Sequence, residues 1–150
     1  MNEQVKDIAY KLERKLTTIA YEMQDQINAG VFDYESFLYQ VFTQIDAAVA
    51  NGVNLDCLYD SSAIYSVLIG CMSAHLPIEV ADLRKDVITY LIANGANVNV
   101  GYFGVAKISP LQIAEAERYT DIIKLLTDNG AVKIDKKTSK TPNETQVEKQ

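Results

Sequence analysis

The sequence has 150 residues, of which 48% are hydrophobic, so it is long enough for one domain with a buried core. Its formal net charge is −6: residues 1–132 hold nine basic and seventeen acidic residues, whereas residues 133–150 carry a net charge of +2. Because phosphate backbones and anionic lipid surfaces bind clustered Lys and Arg, this charge argues against nucleic acid and membrane surfaces as partners. Glycine and proline are sparse (7 and 3 residues), which favours an all-α fold.

Targeting signals and disulfides are not expected either. No apolar stretch approaches the ~18–20 residues that cross a bilayer, and the polar start of the sequence is unlike a signal peptide. Two cysteines, Cys57 and Cys71, are too few for a secreted disulfide framework. We therefore expect a cytoplasmic protein, or one that acts in a host cytosol if it comes from an intracellular parasite or virus.

The first thirty residues predict one long helix. Apolar residues recur every three or four positions on a single stripe, charged residues such as Glu13 fall off the stripe, and Gly30 predicts the end of the helix. The stripe consists of Val5, Ile8, Leu12, Leu16, Ile19, Met23 and Ile27. Such a stripe packs on its own domain or, less often, forms a coiled coil with a second chain.

Five further helices follow. They are predicted at about 34–51, 62–74, 82–94, from Ser109 onward, and 120–129. Asp33 and Ser109 are suitable N-caps, and Pro110 occupies the first helical position, which proline favours. Residues 133–150 are polar and rich in lysine, so they predict a disordered tail.

Three helix endings are similar to one another. They are Asn51-Gly52-Val53-Asn54-Leu55, Asn94-Gly95-Ala96-Asn97-Val98 and Asn129-Gly130-Ala131-Val132-Lys133. Their glycines are 43 and 35 residues apart. Self-similarity at such a period is typical of helical repeat proteins, in which each unit buries its apolar side against its neighbours.

One part of the sequence resembles a known repeat family. The segment Ser109-Pro110-Leu111-Gln112-Ile113-Ala114 is similar to the ankyrin-repeat signature Thr-Pro-Leu-His-x-Ala, and it leads without a gap to the ending at Gly130. Residues 86–99 resemble the second helix and the ending of the preceding repeat. The motif residues expected to have structural roles are Ser109, Pro110, Leu111, Ala114, Gly95 and Gly130.

The resemblance implies an all-α fold, a short ankyrin-type solenoid of stacked antiparallel helix pairs with β-hairpin-like connecting fingers. Residues 1–132 are then one domain with approximate repeats at 1–56, 57–98 and 99–132. The first of these is atypical, either a true repeat or a helical cap.

The sequence also departs from the family pattern in three places. Gln112 replaces the family histidine, so an amide must make its polar link to neighbouring turns. Arg118 stands where the family usually has Gly, so a left-handed backbone there costs about 1 kcal/mol. Residues 97–108 are about two residues longer than the family norm, which predicts a long aromatic finger.

The sequence offers no convergent set of catalytic or metal-binding groups. Its single histidine, His75, lies in a predicted turn, and Cys57 and Cys71 have no second pair of ligands. We therefore predict no enzyme activity, no metal and no cofactor. An enzyme would instead require a polar cleft with perturbed carboxylates, such as Glu79 with Asp82.

Binding of a protein partner, basic or neutral in charge, is the function that the ankyrin resemblance implies. The residues expected on the face of fingers and inner helices are Leu58, Tyr59, Tyr102, Phe103, Val105, Lys107, Gln112, Glu115 and Tyr119. Two alternatives stay open: an inhibitor, antitoxin or host-directed effector that blocks a target enzyme, and a scaffold that self-associates through its N-terminal helix. We expect a monomer or a weak homodimer.

Overall fold

The computed structural model describes residues 2–72, 76–104 and 107–133. The helices in these ranges are α1 (Glu3–Thr17), α2 (Ile19–Ala29), α3 (Tyr34–Ala50), α4 (Ala63–Gly70), α5 (Val80–Ala93), α6 (Pro110–Ala116) and α7 (Thr120–Asp128). The β-type pairing seen within them is an isolated antiparallel bridge between Ser61 and Tyr102. The predicted all-α class is confirmed for this part of the chain, in which no helix is long and apolar enough to span a membrane.

The N-terminal segment forms two helices, so the prediction of one long helix is wrong. α1 ends at Thr17 and α2 begins at Ile19, with Thr18 between them at φ −118° and ψ 10°. The Thr18 hydroxyl donates to the carbonyl oxygen of Arg14 at 2.8 Å, a local bond of the kind that competes with helical backbone pairing. Because only one residue separates the two helices, the spacing of apolar residues is unchanged across the break. The sequence pattern therefore does not indicate where the first helix ends.

The other predicted helices are present, with shifted ends. The helix predicted at about 62–74 ends at Gly70, and the one predicted at about 82–94 begins at Val80. His75, Val105 and the predicted disordered tail from residue 134 onward lie outside the described residues.

The helices associate in three pairs that stand side by side. α1 packs on α3, α4 on α5, and α6 on α7. The first members of the pairs also pack on one another in a first row (α1, α4, α6), and the second members do so in a second row (α3, α5, α7). α2 contacts α1 and α4.

The space between the rows is filled by a continuous apolar core. Its largest fully buried side chains are Leu12, Leu16, Ile19, Met23, Ile45, Ile64, Leu68, Leu83, Ile88, Leu91, Ile122 and Leu126. Each of them stabilises the fold by roughly 1.5–3 kcal/mol through burial. The set draws on helices of both rows, so every pair contributes to the same core.

α4 is the most enclosed helix, because α1, α5 and α6 all pack against it. Six of its eight residues are buried, a pattern typical of a central helix rather than an amphipathic surface one. At its end, a Cβ atom on Gly70 would overlap the carbonyl oxygen of Leu16. The close approach of α1 and α4 therefore requires glycine at this position.

Side-chain hydrogen bonds join successive helix endings. The Asp56 carboxylate accepts from the backbone N–H of Asn97 at 2.7 Å, and the Asn99 side-chain oxygen accepts from the N–H of Val132 at 2.8 Å. Asp56 and Asn99 each lie four residues after a helix-ending glycine, Gly52 or Gly95. The same bond thus recurs from one helix pair to the next, a feature that the sequence pattern did not indicate.

The sequence motif at Ser109 forms a capping box. The Ser109 hydroxyl accepts from the N–H of Gln112, and the Gln112 side chain accepts from the N–H of Ser109 at 2.7 Å. Pro110 occupies the first turn, and Leu111 and Ala114 are buried. The side-chain oxygen of Gln112 thus caps its own helix.

Backbone geometry agrees with three other expectations from the sequence. Gly95 and Gly130 both have φ 96° directly after the C-cap residue of their helices, a conformation that glycine adopts without steric cost. Arg118 has φ 59°, so the left-handed backbone on which its cost of about 1 kcal/mol depends is present between α6 and α7. Lys107 is a second non-glycine residue with positive φ, at 52°.

Gly70→Ala should lower the free energy of unfolding by about 3 kcal/mol, because a methyl group at this position overlaps the backbone of α1. The measurement is urea denaturation followed by circular dichroism. Gly130→Ala is the matched control: there is open space around Gly130, so only its left-handed backbone opposes the change, at about 1 kcal/mol. Equal losses in the two variants would contradict the proposed close approach of the helices.

Cys71 follows the end of α4, and its burial raises the pKa of its thiol to about 12, although the nearby Arg84 opposes this shift. The ordinary value is 9.0. The contribution of this thiol to the free energy of unfolding is therefore fully present below pH 9. It is lost as the pH rises toward 12, because the thiol ionises at a lower pH in the unfolded chain than in the folded one.

Between pH 8 and pH 10 the Cys71 thiol should therefore remove about 1.4 kcal/mol of stability. We expect Cys71→Ala to reduce this loss, whatever its constant cost from the smaller side chain. The control Cys57→Ala changes an exposed cysteine and should keep the full pH dependence. Denaturation curves at several pH values provide the test, and parallel behaviour of the two variants would refute it.

Candidate binding face

Two pairs of aromatic side chains lie at equivalent positions in neighbouring helix pairs. Tyr59 and Tyr102 each lie seven residues after a helix-ending glycine. The Tyr59 ring packs edge-on against Tyr10 of α1, with 5.1 Å between ring centroids, and the Tyr102 ring stacks on Tyr65 of α4 at 5.7 Å. With the adjacent Phe103, these residues form what we call the aromatic face.

Much of the aromatic face is accessible to a partner. Tyr59 is 63% exposed, Phe103 46%, and Tyr10 and Tyr102 somewhat less, while Tyr65 is half-buried. Partial burial raises the pKa of Tyr65 above its usual range, and the neighbouring Tyr102 adds to the shift. Ring packing of this kind holds each tyrosine in a defined position and still leaves part of its surface free.

Backbone hydrogen bonds hold the two connecting segments side by side. The first connecting segment comprises residues 53–62, and the second comprises residues 96–109. Ser62 N–H donates to the carbonyl oxygen of Gly101, and Phe103 N–H donates to that of Asp60, both at 3.0 Å. These bonds flank the Ser61–Tyr102 bridge and fix the position of one aromatic pair relative to the other.

The second connecting segment folds back on itself beside Tyr102. Tyr102 N–H donates to the carbonyl oxygen of Ile108 at 3.0 Å. The Tyr102 ring lies across Gly104, where any Cβ atom would overlap it. Glycine at this position therefore allows the ring to reach Tyr65.

A buried glutamate anchors the first connecting segment. One Glu13 carboxylate oxygen accepts from the backbone N–H groups of Tyr59, Asp60 and Ser61 at 3.0, 3.0 and 3.2 Å. The Ser61 hydroxyl also donates to this oxygen, at 3.4 Å, and Glu13 is only 9% exposed. Charge-assisted bonds of this kind compensate the loss of hydration of the carboxylate and fix the backbone that carries Tyr59.

The surroundings of the two pairs differ in charge. An open groove of about 540 Å³ beside the first pair is lined by Tyr10, Tyr59, Glu3, Asp7 and Lys6 among others. A second groove, of about 470 Å³, is lined by Tyr102, Phe103 and Lys107. Both carboxylates at the first pair are ion-paired, Glu3 with Lys6 at 3.5 Å and Asp7 with Lys11 at 3.0 Å, whereas the charged group at the second is a lysine.

A guanidinium group already contacts the first pair. Arg14 lies 5.9 Å from the centre of the Tyr10 ring, and its Nη1 donates to the Tyr10 hydroxyl at 3.1 Å. Cations are attracted to the electron-rich face of an aromatic ring. The Tyr10 ring thus already contacts a positive charge of the chain itself.

The structure brings together only some of the residues predicted to contact a partner. Tyr59, Tyr102 and Phe103 lie on the aromatic face, and Lys107 lines the groove beside it. Leu58 is 5% exposed and belongs mainly to the core, because the bonded first segment turns its side chain inward.

The other predicted contact residues have different roles. Gln112 is engaged in the capping box, and Glu115 lies 3.6 Å from the amino group of Lys133. Tyr119 follows the end of α6, and its ring covers the buried Arg84 guanidinium, whose central carbon lies 3.6 Å from the ring centre. Partial burial raises the pKa of the Tyr119 hydroxyl. Tyr119 thus follows the opposite end of α6 from the second connecting segment, and its ring is used for packing.

Sequence reasoning missed Tyr10, Tyr65 and Glu13 as parts of the face. Tyr10 and Tyr65 lie in helices without any shared motif, so only their contacts with Tyr59 and Tyr102 reveal them. The signal that was available is the equal spacing of the two connecting-segment tyrosines from their glycines.

The described residues do not bring potential metal ligands together. They contain no group of three or more His, Cys, Asp or Glu side chains arranged for a metal ion. Glu79 and Asp82, the carboxylates considered for an enzyme, are both exposed at the start of α5. Comparison with protein-family models, curated proteins and solved structures found no match to the chain.

Glu13→Ala should lower the free energy of unfolding by about 3 kcal/mol, because it leaves three backbone N–H groups without their acceptor. Hydrogen exchange of the Tyr59 and Asp60 amides should accelerate at the same time. Glu3→Ala on the exposed surface of α1 is the control and should change stability by less than about 0.5 kcal/mol. Unchanged exchange at Tyr59 in the Glu13 variant would show that the anchor has been misassigned.

Proposed function

We propose that the chain is an ankyrin-type repeat protein that binds another protein through its aromatic face. The observation that carries this proposal is that Tyr59 and Tyr102, each seven residues after a helix-ending glycine, both pack on a helix tyrosine and stay partly exposed. Contiguous exposed aromatic surface often marks a binding site, whereas single exposed side chains such as Tyr39 need no partner.

The arrangement of the helices supports the ankyrin part of the proposal. Three helix pairs pack in two rows, and their endings are joined by the recurring bonds of Asp56 and Asn99. On this view α1 and α3 form an atypical first repeat, with α2 inserted between them. The two connecting segments correspond to the fingers.

Charge and side-chain type narrow the kind of partner. Tyrosine and other aromatic residues provide most of the binding energy in many protein interfaces, because they bury large areas at little cost in side-chain entropy. Residues 1–132 hold an excess of eight acidic residues, so a basic or neutral polypeptide suits them better than an acidic one.

The test is affinity capture from an extract of the source cells with the immobilised full chain. Combined Tyr59→Ala and Tyr102→Ala substitutions should reduce the amount of specifically retained protein about tenfold or more, because both aromatic pairs are lost. The matched control replaces Tyr21 and Tyr39, which are 54% and 72% exposed on α2 and α3. Circular dichroism would verify that all variants are folded.

An identical set of retained proteins for the two double variants would contradict the proposed face. Loss of binding in the control alone would place the interface on α2 and α3 instead.

The inhibitor, antitoxin or effector alternative uses the same face and differs in its consequence. It predicts that a captured enzyme loses activity on binding.

Self-association has less support, because the stripe residues Leu12, Leu16, Ile19 and Met23 are fully buried within the chain. These side chains are therefore not free to pair with a second copy.

A further inference from the structure

The three helices of the second row end in the same dipeptide, asparagine followed by glycine. The three endings are Asn51-Gly52 after α3, Asn94-Gly95 after α5 and Asn129-Gly130 after α7, and all six residues are exposed. Asparagine before glycine is the sequence that deamidates most readily in proteins, because glycine has no side chain to hinder closure of the succinimide ring. The chain therefore carries three chemically equivalent sites for the same spontaneous modification.

Deamidation at such a site needs no reactant other than water. The backbone nitrogen of the glycine loses its proton and attacks the side-chain carbonyl carbon of the asparagine, and the new C–N bond closes a succinimide ring. The bond from that carbon to the side-chain nitrogen breaks, and the nitrogen takes up a proton and leaves as ammonia. Water then opens the ring and gives aspartate or isoaspartate, in which the backbone is one carbon longer.

The folded helix endings hold both reacting groups in hydrogen bonds. At the third ending the Asn129 side-chain amide donates to the carbonyl oxygen of Leu125 at 2.8 Å, and the Gly130 N–H donates to that of Thr127 at 3.1 Å. The same two bonds measure 2.7 and 3.0 Å at the first ending and 2.9 and 3.0 Å at the second. Ring closure therefore requires that an ending first opens, so the rate at each site depends on how often its ending opens.

The residues after each glycine distinguish the three endings. At the first two endings, the first and third residues after the glycine are at most 8% exposed: they are Val53 and Leu55, and Ala96 and Val98. At the same places of the third ending, Ala131 is only half-buried and Lys133 is exposed. Since buried apolar side chains oppose opening, the third ending lacks an anchor that the other two have.

The helix before the third ending is also held by fewer buried side chains. Two of the nine residues of α7 are buried, against four of seventeen in α3 and six of fourteen in α5. Local opening needs least free energy where few apolar contacts must be broken. Both comparisons therefore assign the most frequent opening to Asn129-Gly130.

Modification of the third ending would affect its link to the second connecting segment. The Asn99 side-chain oxygen accepts from the N–H of Val132 at 2.8 Å, and its side-chain nitrogen donates to the carbonyl oxygen of Gly130 at 3.2 Å. A carboxylate at position 129 cannot donate to Leu125, and its negative charge is unfavourable at the C-terminal end of a helix. Isoaspartate also lengthens the backbone between α7 and the two bonds of Asn99.

We propose that Asn129-Gly130 is the site at which the folded chain deamidates, and that this modification releases the end of α7 from the second connecting segment. Asn51 and Asn94 react far more slowly while the fold is intact. Because ammonia is lost, the change is irreversible and accumulates with the age of each molecule. It does not depend on the proposed binding of a partner.

The first experiment incubates the full chain under mildly alkaline conditions and quantifies the products at each site by peptide mass spectrometry. Asn129 should deamidate at least about tenfold faster than Asn51 and Asn94. In the urea-unfolded chain the three rates should agree within about threefold, because the reacting dipeptide is the same and no ending is protected. Equal rates at the three sites of the folded chain, a faster reaction at Asn51 or Asn94, or no reaction at Asn129 would overturn the proposal.

Two matched variants test the role of the anchors. Val98→Ala shortens a buried side chain after the second ending and should raise the rate at Asn94, relative to Asn51, at least about threefold. Val132→Ala makes the same change at a position that is 64% exposed and should leave the rate at Asn129 unchanged. An unchanged rate at Asn94 in the Val98 variant would contradict the argument from burial. Circular dichroism verifies folding, and Leu55→Ala, measured at Asn51, replaces Val98→Ala if that variant unfolds.

Hydrogen exchange tests the structural consequence. The Val132 amide, which donates to Asn99, should exchange at least about threefold faster in the deamidated chain and in Asn129→Asp than in the unmodified chain. The Asn97 amide, which donates to Asp56 at the second ending, is the internal control and should keep its rate. Unchanged exchange at Val132 would show that the end of α7 is not released.

Discussion

Enclosure of α4 is the constraint on which the remaining structure depends. This short helix is covered by α1, α5 and α6, and it is buried over most of its length. Its contact with α1 at Gly70 sets the distance between the first two helix pairs, and its first turn carries Tyr65. The positions of the connecting segments, and hence of the aromatic face, follow from the way α4 is held.

Features determined by neighbouring residues could be predicted from the sequence. Ser109 and Pro110 begin a helix because a hydroxyl cap and a fixed φ act within one turn, and α6 does begin at Pro110. The left-handed backbone at Arg118 was considered from the sequence because the residue stands where the ankyrin pattern, which this segment resembles, usually has glycine. The break at Thr18 was not predictable from periodicity, because the spacing of apolar residues is the same on both sides of it.

Features determined by tertiary contacts were harder to predict. Glu13 lies off the apolar stripe of its helix and nevertheless is buried, because three backbone N–H groups from a distant segment converge on its carboxylate. Tyr59, Tyr102 and Phe103 were identified as candidate contacts, but their partners Tyr10 and Tyr65 were not. Leu58 was predicted as a partner contact because it lies beside Tyr59 in the preceding finger, although the fold turns it toward the core.

The separate helix α2 has a consequence for the connection inside the first helix pair. Its eleven residues lie along the chain between α1 and α3, yet these two helices still pack together and the bonds of Asp56 and Asn99 still recur. Side-by-side contacts, and not a short linker, therefore hold this pair together. The room that the connection leaves is occupied by a helix that packs on α1 and α4, so the chain gains core there without altering the segments that carry the tyrosines.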